Sequence, residues 1–306
     1  MTILVVGSVA FDTIETPAER REQILGGAAN YFSLAASFFS PVQLVAVVGD
    51  DFPQEHLDLL QGRGVDLTGL QRVPGKTFHW SGRYGENCNE RETLATDLNV
   101  YADFRPTLPL AYRAARYVFL ANIHPELQLE VLDQVEAPTF VAADTMNLWI
   151  DTSLDTLKKV LGRVDALLLN EGEARQIGGT CNLLEAGRAI AAMGPKTVVI
   201  KLGEYGAIIL QGEARRFVPA FPLSEVVDPT GAGDTFGGGF LGYIARAGST
   251  APESLHRAAA VGSVLGSFVC QDFGIDRLKS LTEAEIEARF DALTRYAGYD
   301  PAPLFA

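Results

Sequence analysis

Six short apolar runs punctuate the chain, at residues 3–6, 44–48, 117–120, 139–142, 166–169 and 198–201. Each is bounded by polar residues or glycine, the pattern of strands buried on both faces of a parallel sheet. Between them the apolar spacing changes to three and four, which predicts helices over 30–39, 52–61, 126–135, 154–161, 171–177 and 183–193. Strand and helix alternating this often predict an α/β fold with a doubly wound, mostly parallel sheet. The last third changes character. Strands at 207–210 and 214–218 make a hairpin around Gln211-Gly212, and helices follow over 234–247, 252–269 and 282–297. No internal repeat or low-complexity tract is present.

Residues 69–103 break the rhythm with a period of two. Phe78, Trp80 and Tyr84 fall on one face and Thr77, His79 and Ser81 on the other. This predicts a small antiparallel sheet outside the main one, to which 12–25 adds a strand or two. A β-lid over a site and an inert edge hairpin both fit. The expected organisation is one domain over 1–306, with a lid from about 12–25 and 69–103 inserted in it. The aromatic face is too large to leave in water on a thin sheet. It should cover a substrate, meet a second subunit, or both, so a homodimer through the lids is expected.

An apolar content of 47% with 21% charged residues is an ordinary globular balance. The net charge of −13 disfavours a general nucleic-acid partner, which needs a basic face. It does not exclude a phosphorylated ligand, because peptide N–H groups bind phosphate locally. Cys88, Cys181 and Cys270 form no CxxC pair and no metal-ligand spacing, so reduced thiols are expected. The chain starts on a strand without the basic region of a signal peptide. Its most apolar stretch, 28–49, is interrupted by Asn30, Ser40, Pro41 and Gln43. No membrane partner and a cytoplasmic location are therefore expected.

The richest stretch is 227–240, Val-Asp-Pro-Thr-Gly-Ala-Gly-Asp-Thr-Phe-Gly-Gly-Gly-Phe. Pro229 holds Asp228 extended, and Gly231 and Gly233 permit backbone angles that other residues resist. Phe236, Phe240, Ile244 and Ala247 then mark one helix face. A Gly-rich turn thus feeds a helix N-terminus, whose free N–H groups and dipole suit an anion. It is neither a Walker A loop nor a GxGxxG fingerprint. Asp234 in the first helical turn has two readings: a helix-favouring acid, or the base that phosphoryl transfer to an alcohol requires beside an anion hole.

Asp228-Pro229-Thr230-Gly231-Ala232-Gly233-Asp234-Thr235-Phe236 closely resembles the C-terminal signature of the ribokinase-like (PfkB) carbohydrate kinase family. The resemblance implies Asp234 as catalytic base and Gly231, Ala232 and Gly233 as the anion hole. Four further elements follow the family's order. Gly7 to Asp12 resembles the first strand end, where the Asp binds a pair of hydroxyls. Gly26-Gly27-Ala28-Ala29-Asn30 resembles the double-glycine signature, in which the glycines approach the substrate and the Asn binds its hydroxyls. Asn170-Glu171-Gly172-Glu173 resembles the NxxE element associated with magnesium and phosphate. Lys201-Leu202-Gly203-Glu204-Tyr205-Gly206 resembles the GxxG turn on the nucleotide side. Each also has a plain reading: Asn170 as a helix N-cap, Lys201 as a solvated strand end, Gly203 and Gly206 as turn glycines. The resemblance runs from Gly7 to about Gly239.

What it implies is an ATP-dependent kinase, with Asn170 and Glu173 acting on Mg2+ mainly through water. Asp228 and Thr230 match part of a site for a monovalent cation such as K+. Asp12 and Asn30 suit adjacent hydroxyls. Nothing in the lid supplies a clear base-reading set, so a sugar or polyol is the expected small-molecule partner and a nucleoside the alternative. A non-catalytic sugar or nucleotide sensor would have lost the base, and a nicotinamide oxidoreductase would carry the glycine fingerprint after its first strand.

Overall fold

Strand β1 (Ile3–Val6) divides its side chains between two apolar cores, Ile3 and Val5 to one and Leu4 and Val6 to the other. A strand buried on both faces needs helices on both. The computed structural model describes residues 1–85 and 91–298; Cys88 and residues 86–90 of the expected lid lie outside the described residues. Along the chain follow β2 (Ala10–Glu15), β3 (Arg20–Gly26), β4 (Val42–Val48), β5 (Val65–Arg72), β6 (His79–Tyr84) and β7 (Arg91–Asp97). Then come β8 (Tyr117–Leu120), β9 (Phe140–Asp144), β10 (Ala166–Asn170), β11 (Thr197–Lys201), β12 (Ala207–Gln211) and β13 (Ala214–Val218).

The main sheet has the order β13-β12-β11-β10-β9-β8-β1-β4-β5. It is parallel except at one end, where the reversed strand β12 pairs antiparallel with both β11 and β13. One core lies under the helices Ala28–Ala36, Ala232–Ala247, Pro252–Val269 and Glu283–Ala297. The other lies under Pro125–Leu132, Leu154–Leu161, Glu171–Gly178 and Leu183–Ala191. The chain winds in both directions from β1, which has β8 on one side and β4 on the other. Such a switch point opens a crevice beyond the carboxyl ends of the strands, where ligands bind in open α/β sheets.

The remaining strands form a separate sheet, β3-β2-β6-β7. Its two outer pairings are antiparallel and the central one, β2 with β6, is parallel. Residues 69–72, read from their alternation as part of this sheet, instead end β5 on the edge of the main one. An edge strand exposed on one side alternates just as an outer sheet does. Phe78 also leaves the expected aromatic face. It precedes β6 and stacks on Tyr101, with ring centroids 5.4 Å apart. Trp80 and Tyr84 pack with Ile14, Ile24, Phe273 and Val227, toward the body of the protein. The opposite face carries polar pairs, Thr13 with His79 and Arg83 with Glu15 and Glu92. The aromatic argument for a lid-to-lid dimer is therefore narrowed to Trp80, which stays half-buried, because Phe78 and Tyr84 already have partners.

The helix Ala232–Ala247 is enclosed on several sides, and its glycines let neighbours approach. A Cβ at Gly237 would lie 2.8 Å from the Phe119 ring, and one at Gly239 the same distance from Leu265. A Cβ at Gly238 would collide with the carbonyl of Phe32 on the helix Ala28–Ala36. Gly238→Ala must push these helices apart and should cost about 1–3 kcal/mol. Urea unfolding checks this: the midpoint should fall with the m-value unchanged, whereas an unchanged midpoint would mean that the two helices are not in tight contact.

Candidate active site

The Gly-rich turn is built on a buried carboxylate. Asp228 is fully buried; its Oδ1 accepts the Thr230 amide at 2.9 Å and its Oδ2 the Gly274 amide at 3.0 Å. Burial still holds its pKa above the usual carboxylate range. Thr230 Oγ1 donates to the Tyr84 hydroxyl at 3.1 Å, which ties β6 to the turn. Gly231 then takes φ 76, a left-handed N-cap that favours glycine. The helix behind it has no side-chain cap, and Ala232 and Gly233 of its first turn line a cleft. The Ala232 amide donates to the Pro229 carbonyl at 3.2 Å, so it is less free than the sequence reading supposed.

Asp234 sits half-buried in that first turn. Lys201, at the end of β11, approaches Gly233 so closely that a Cβ there would lie 3.0 Å from its Nζ. The same Nζ donates to Asp144 Oδ2 at 2.9 Å. Asp144 ends β9, buried, with Oδ1 accepting the Thr145 amide at 2.8 Å. Glu173 is buried too. It forms a capping box with Asn170: Asn170 N donates to Glu173 Oε2 at 2.8 Å and Glu173 N to Asn170 Oδ1 at 2.9 Å. The N-cap reading of Asn170 therefore holds, and the cap is what holds Glu173 in place.

One ammonium faces several carboxyls. Burial, with the Asp144 charge adding to it, lifts Asp234 to about 7, while Lys201 pulls the other way. The same influences in the same order raise Glu173 to about 7. For Lys201 burial is the largest influence and acts downward, but Asp144, Glu173 and Asp234 together outweigh it and its pKa ends raised.

On the acceptor side, Gly27 takes φ 93 and starts the helix Ala28–Ala36. Gly26 has to be glycine because a Cβ there would collide with the Asp12 carboxylate. Asp12 is buried, and burial followed by the charges of Asp228 and Asp234 raises it to about 8. Asn30 is fully buried; its Nδ2 donates to the Gly26 carbonyl at 3.3 Å, and its Oδ1 has no partner. Trp80 is the register partner of Asp12 on β6, with the Arg91 guanidinium 5.5 Å from its ring centroid.

A cleft of about 690 Å³ opens on another side of the turn, lined among others by Lys201, Gly203, Gly206, Phe221, Gly233 and Ser267. Gly203 and Gly206 take φ 57 and 111 and shape its edge. Asp12, Asn30 and Trp80 do not line it. Lys201, Gly203, Gly206, Ala232 and Gly233 share this cleft, and the charges of Asp12 and Lys201 reach Asp234. Asp144 and Tyr31 were missed. The signal for Asp144 was an acid closing a buried apolar run, since β9 extends two residues beyond the predicted 139–142. Tyr31 follows Asn30 and gave no polar signal. Among the described residues no group of three or more His, Cys, Asp or Glu could hold a metal, and no helix is long and apolar enough to cross a membrane.

The sequence profile described as pfkB family carbohydrate kinase matches residues 2–280. The cytidine kinase of Thermococcus kodakarensis is 34% identical over 252 residues, 80% of this chain and 89% of that protein. Among solved structures, the nucleoside kinase of Burkholderia thailandensis in complex with inosine has a TM-score of 0.76 at 21% identity, covering 98% of this chain and 100% of that one. The aminoimidazole riboside kinase of Salmonella enterica, complexed with aminoimidazole riboside and an ATP analog, has a TM-score of 0.74 at 20% identity, covering 95% and 100%.

The crowded carboxyls fix the sign of a pH effect on stability. Asp12, Glu173 and Asp234 keep their protons up to about 8, 7 and 7 in the folded protein, whereas an unfolded chain releases them near pH 4. Between those limits the folded state binds more protons, so the unfolding free energy falls as pH rises. The ligand-free protein should melt at a lower temperature at pH 8 than at pH 5, and Asp12→Asn should flatten part of that slope. A melting temperature that climbs through this window would contradict the raised pKa values.

Proposed function

This chain belongs to the pfkB family of carbohydrate kinases, and from that premise we propose that it moves the γ-phosphoryl group of ATP onto a hydroxyl of a nucleoside. It is a phosphotransferase with an alcohol group as acceptor. The observation that carries the finer reading is the placement of Asp234. It stands in the first turn of an uncapped helix, beside Lys201, with its pKa near 7. A carboxylate poised there takes the acceptor's hydroxyl proton as the phosphoryl group arrives. The Gly231–Gly233 turn and the Lys201 ammonium stabilise charge on the transferring group.

The cleft edged by Gly203 and Gly206 takes the nucleotide, with its phosphates toward Gly233 and Lys201. Two buried carboxyls that share one ammonium, Asp144 and Glu173, fit a divalent cation. With Asn170 they would hold Mg2+ mainly through its water shell. Bound magnesium supplies neutralisation of phosphate charge. Both oxygens of Asp228 already accept amides, so its share in a K+ site is not carried further.

Asp12 and Asn30 bind adjacent hydroxyls of the acceptor, which a ribose and a free sugar share. The expectation of a sugar or polyol rested on a lid with no base-reading set. Trp80 changes that balance: beside Asp12 it offers a flat, half-buried ring on which a nucleobase stacks. A cytidine kinase and a nucleoside kinase among the similar proteins point the same way.

Two measurements test this. Asp234→Asn keeps the shape and removes the proton acceptor, so turnover should fall about 10²–10⁴-fold while ADP affinity by calorimetry stays put. Turnover near wild type would remove Asp234 from the role. A screen of cytidine, adenosine, inosine, ribose and fructose with Mg·ATP should yield a nucleoside monophosphate. Turnover of free sugars alone would overturn the nucleoside reading and leave the kinase standing.

A further inference from the structure

We infer that Tyr31 is a positioning residue that holds the anion hole in place relative to the acceptor site; the inference rests on the kinase reading above. Tyr31 follows Asn30 on the helix Ala28–Ala36 and is 1% exposed. Its ring fills the space where a side chain at Gly231 would stand, with three ring atoms 2.5 Å from the ideal Cβ position. Gly231 has no side chain to restrict it and sits at φ 76, so the chain at this point is held by what packs against it. The Tyr31 ring is that wall.

The hydroxyl is a separate matter. It is buried without a partner. Burial, followed by the charges of Asp12 and Asp228, holds its pKa well above 10, so it stays neutral. Among the described residues nothing pairs with it, and the contact with the turn belongs to the ring.

The two neighbours on the helix therefore face different halves of the reaction. Asn30 keeps one fully buried carbonyl oxygen unpaired on the acceptor side. Tyr31 backs the glycine from which the phosphate-binding helix starts. The ring thus fixes where the phosphate-binding turn stands relative to Asn30, and with it the distance between the acceptor hydroxyl and the phosphoryl group. Errors of about 1 Å in that distance are worth about 10²-fold in rate.

The test compares Tyr31→Leu, which removes the planar wall, with Tyr31→Phe, which removes only the hydroxyl, using cytidine and Mg·ATP. Tyr31→Leu should lower kcat about 10²-fold, leave ADP affinity and the KM for ATP within a few-fold, and raise the share of ATP hydrolysed per phosphoryl transferred. Tyr31→Phe should restore wild-type kcat and melt at the same temperature or higher, since an unpaired buried hydroxyl stabilises nothing. Should Tyr31→Leu fail to fold, Tyr31→Met carries the same comparison. Full kcat in the Leu variant overturns the inference, and so does a Phe variant as slow as Leu, which would shift the role to the hydroxyl. A wild type inactive on every nucleoside and every sugar overturns the kinase reading and this inference together; an active wild type with an equally active Leu variant overturns this one alone.

Discussion

The carboxylate of Asp228 holds two amides, those of Thr230 and Gly274, and fixes the backbone just before it turns through Gly231 into a helix. Much else depends on that turn. It sets the start of the helix Ala232–Ala247, which the flanking helices grip through Gly238 and Gly239. It carries Asp234 to the crevice end of the sheet, and it gives Tyr84 of the small sheet a hydroxyl to bond to. Because the anchoring group is buried, its loss would leave two amides unpaired, a larger penalty than the bonds themselves contribute.

Around this frame the electrostatics follow one theme. The protein carries a net charge of −13, yet the place proposed for phosphate combines a helix N-terminus with Lys201. Local dipoles and one paired ammonium outweigh a distant acidic surface because exposed charges are screened within about 8–10 Å in physiological salt. The cost is a set of carboxyls forced to share that ammonium. Asp144, Glu173 and Asp234 share it, and Glu173 and Asp234, like Asp12 away from that ammonium, are raised toward neutrality, with burial the largest cause for each. Such shifts cluster at functional sites; here they place a carboxyl near neutral pH, where a general base works best.

The main strands were legible because a run buried on both faces has no other reading at that length. The hairpin at Gln211-Gly212 was legible from its turn residues. The Gly-rich turn showed itself through glycine spacing alone, and the family's order of motifs named the rest. What the sequence hid was whatever depends on partners distant in the chain. β5 alternates like an outer strand because one of its sides is exposed. Phe78 shares the phase of Trp80 and Tyr84 but precedes the strand, so it turns to Tyr101 instead. Asp144 looks like a strand terminus until Lys201 meets it across 57 positions of sequence. Tyr31 reads as one more core aromatic until Gly231 is seen to rest on its ring.

The pH dependence of the rate of cytidine phosphorylation, with cytidine and Mg·ATP both well below saturation, reports the ionisation of the base in the free enzyme. With Asp234 held at about 7, the rate should climb about tenfold per pH unit on the acid side, bend near pH 7 and level off above it. A profile flat from pH 5 to 8 would mean that no group titrating there limits proton removal, and Asp234 would not be the base.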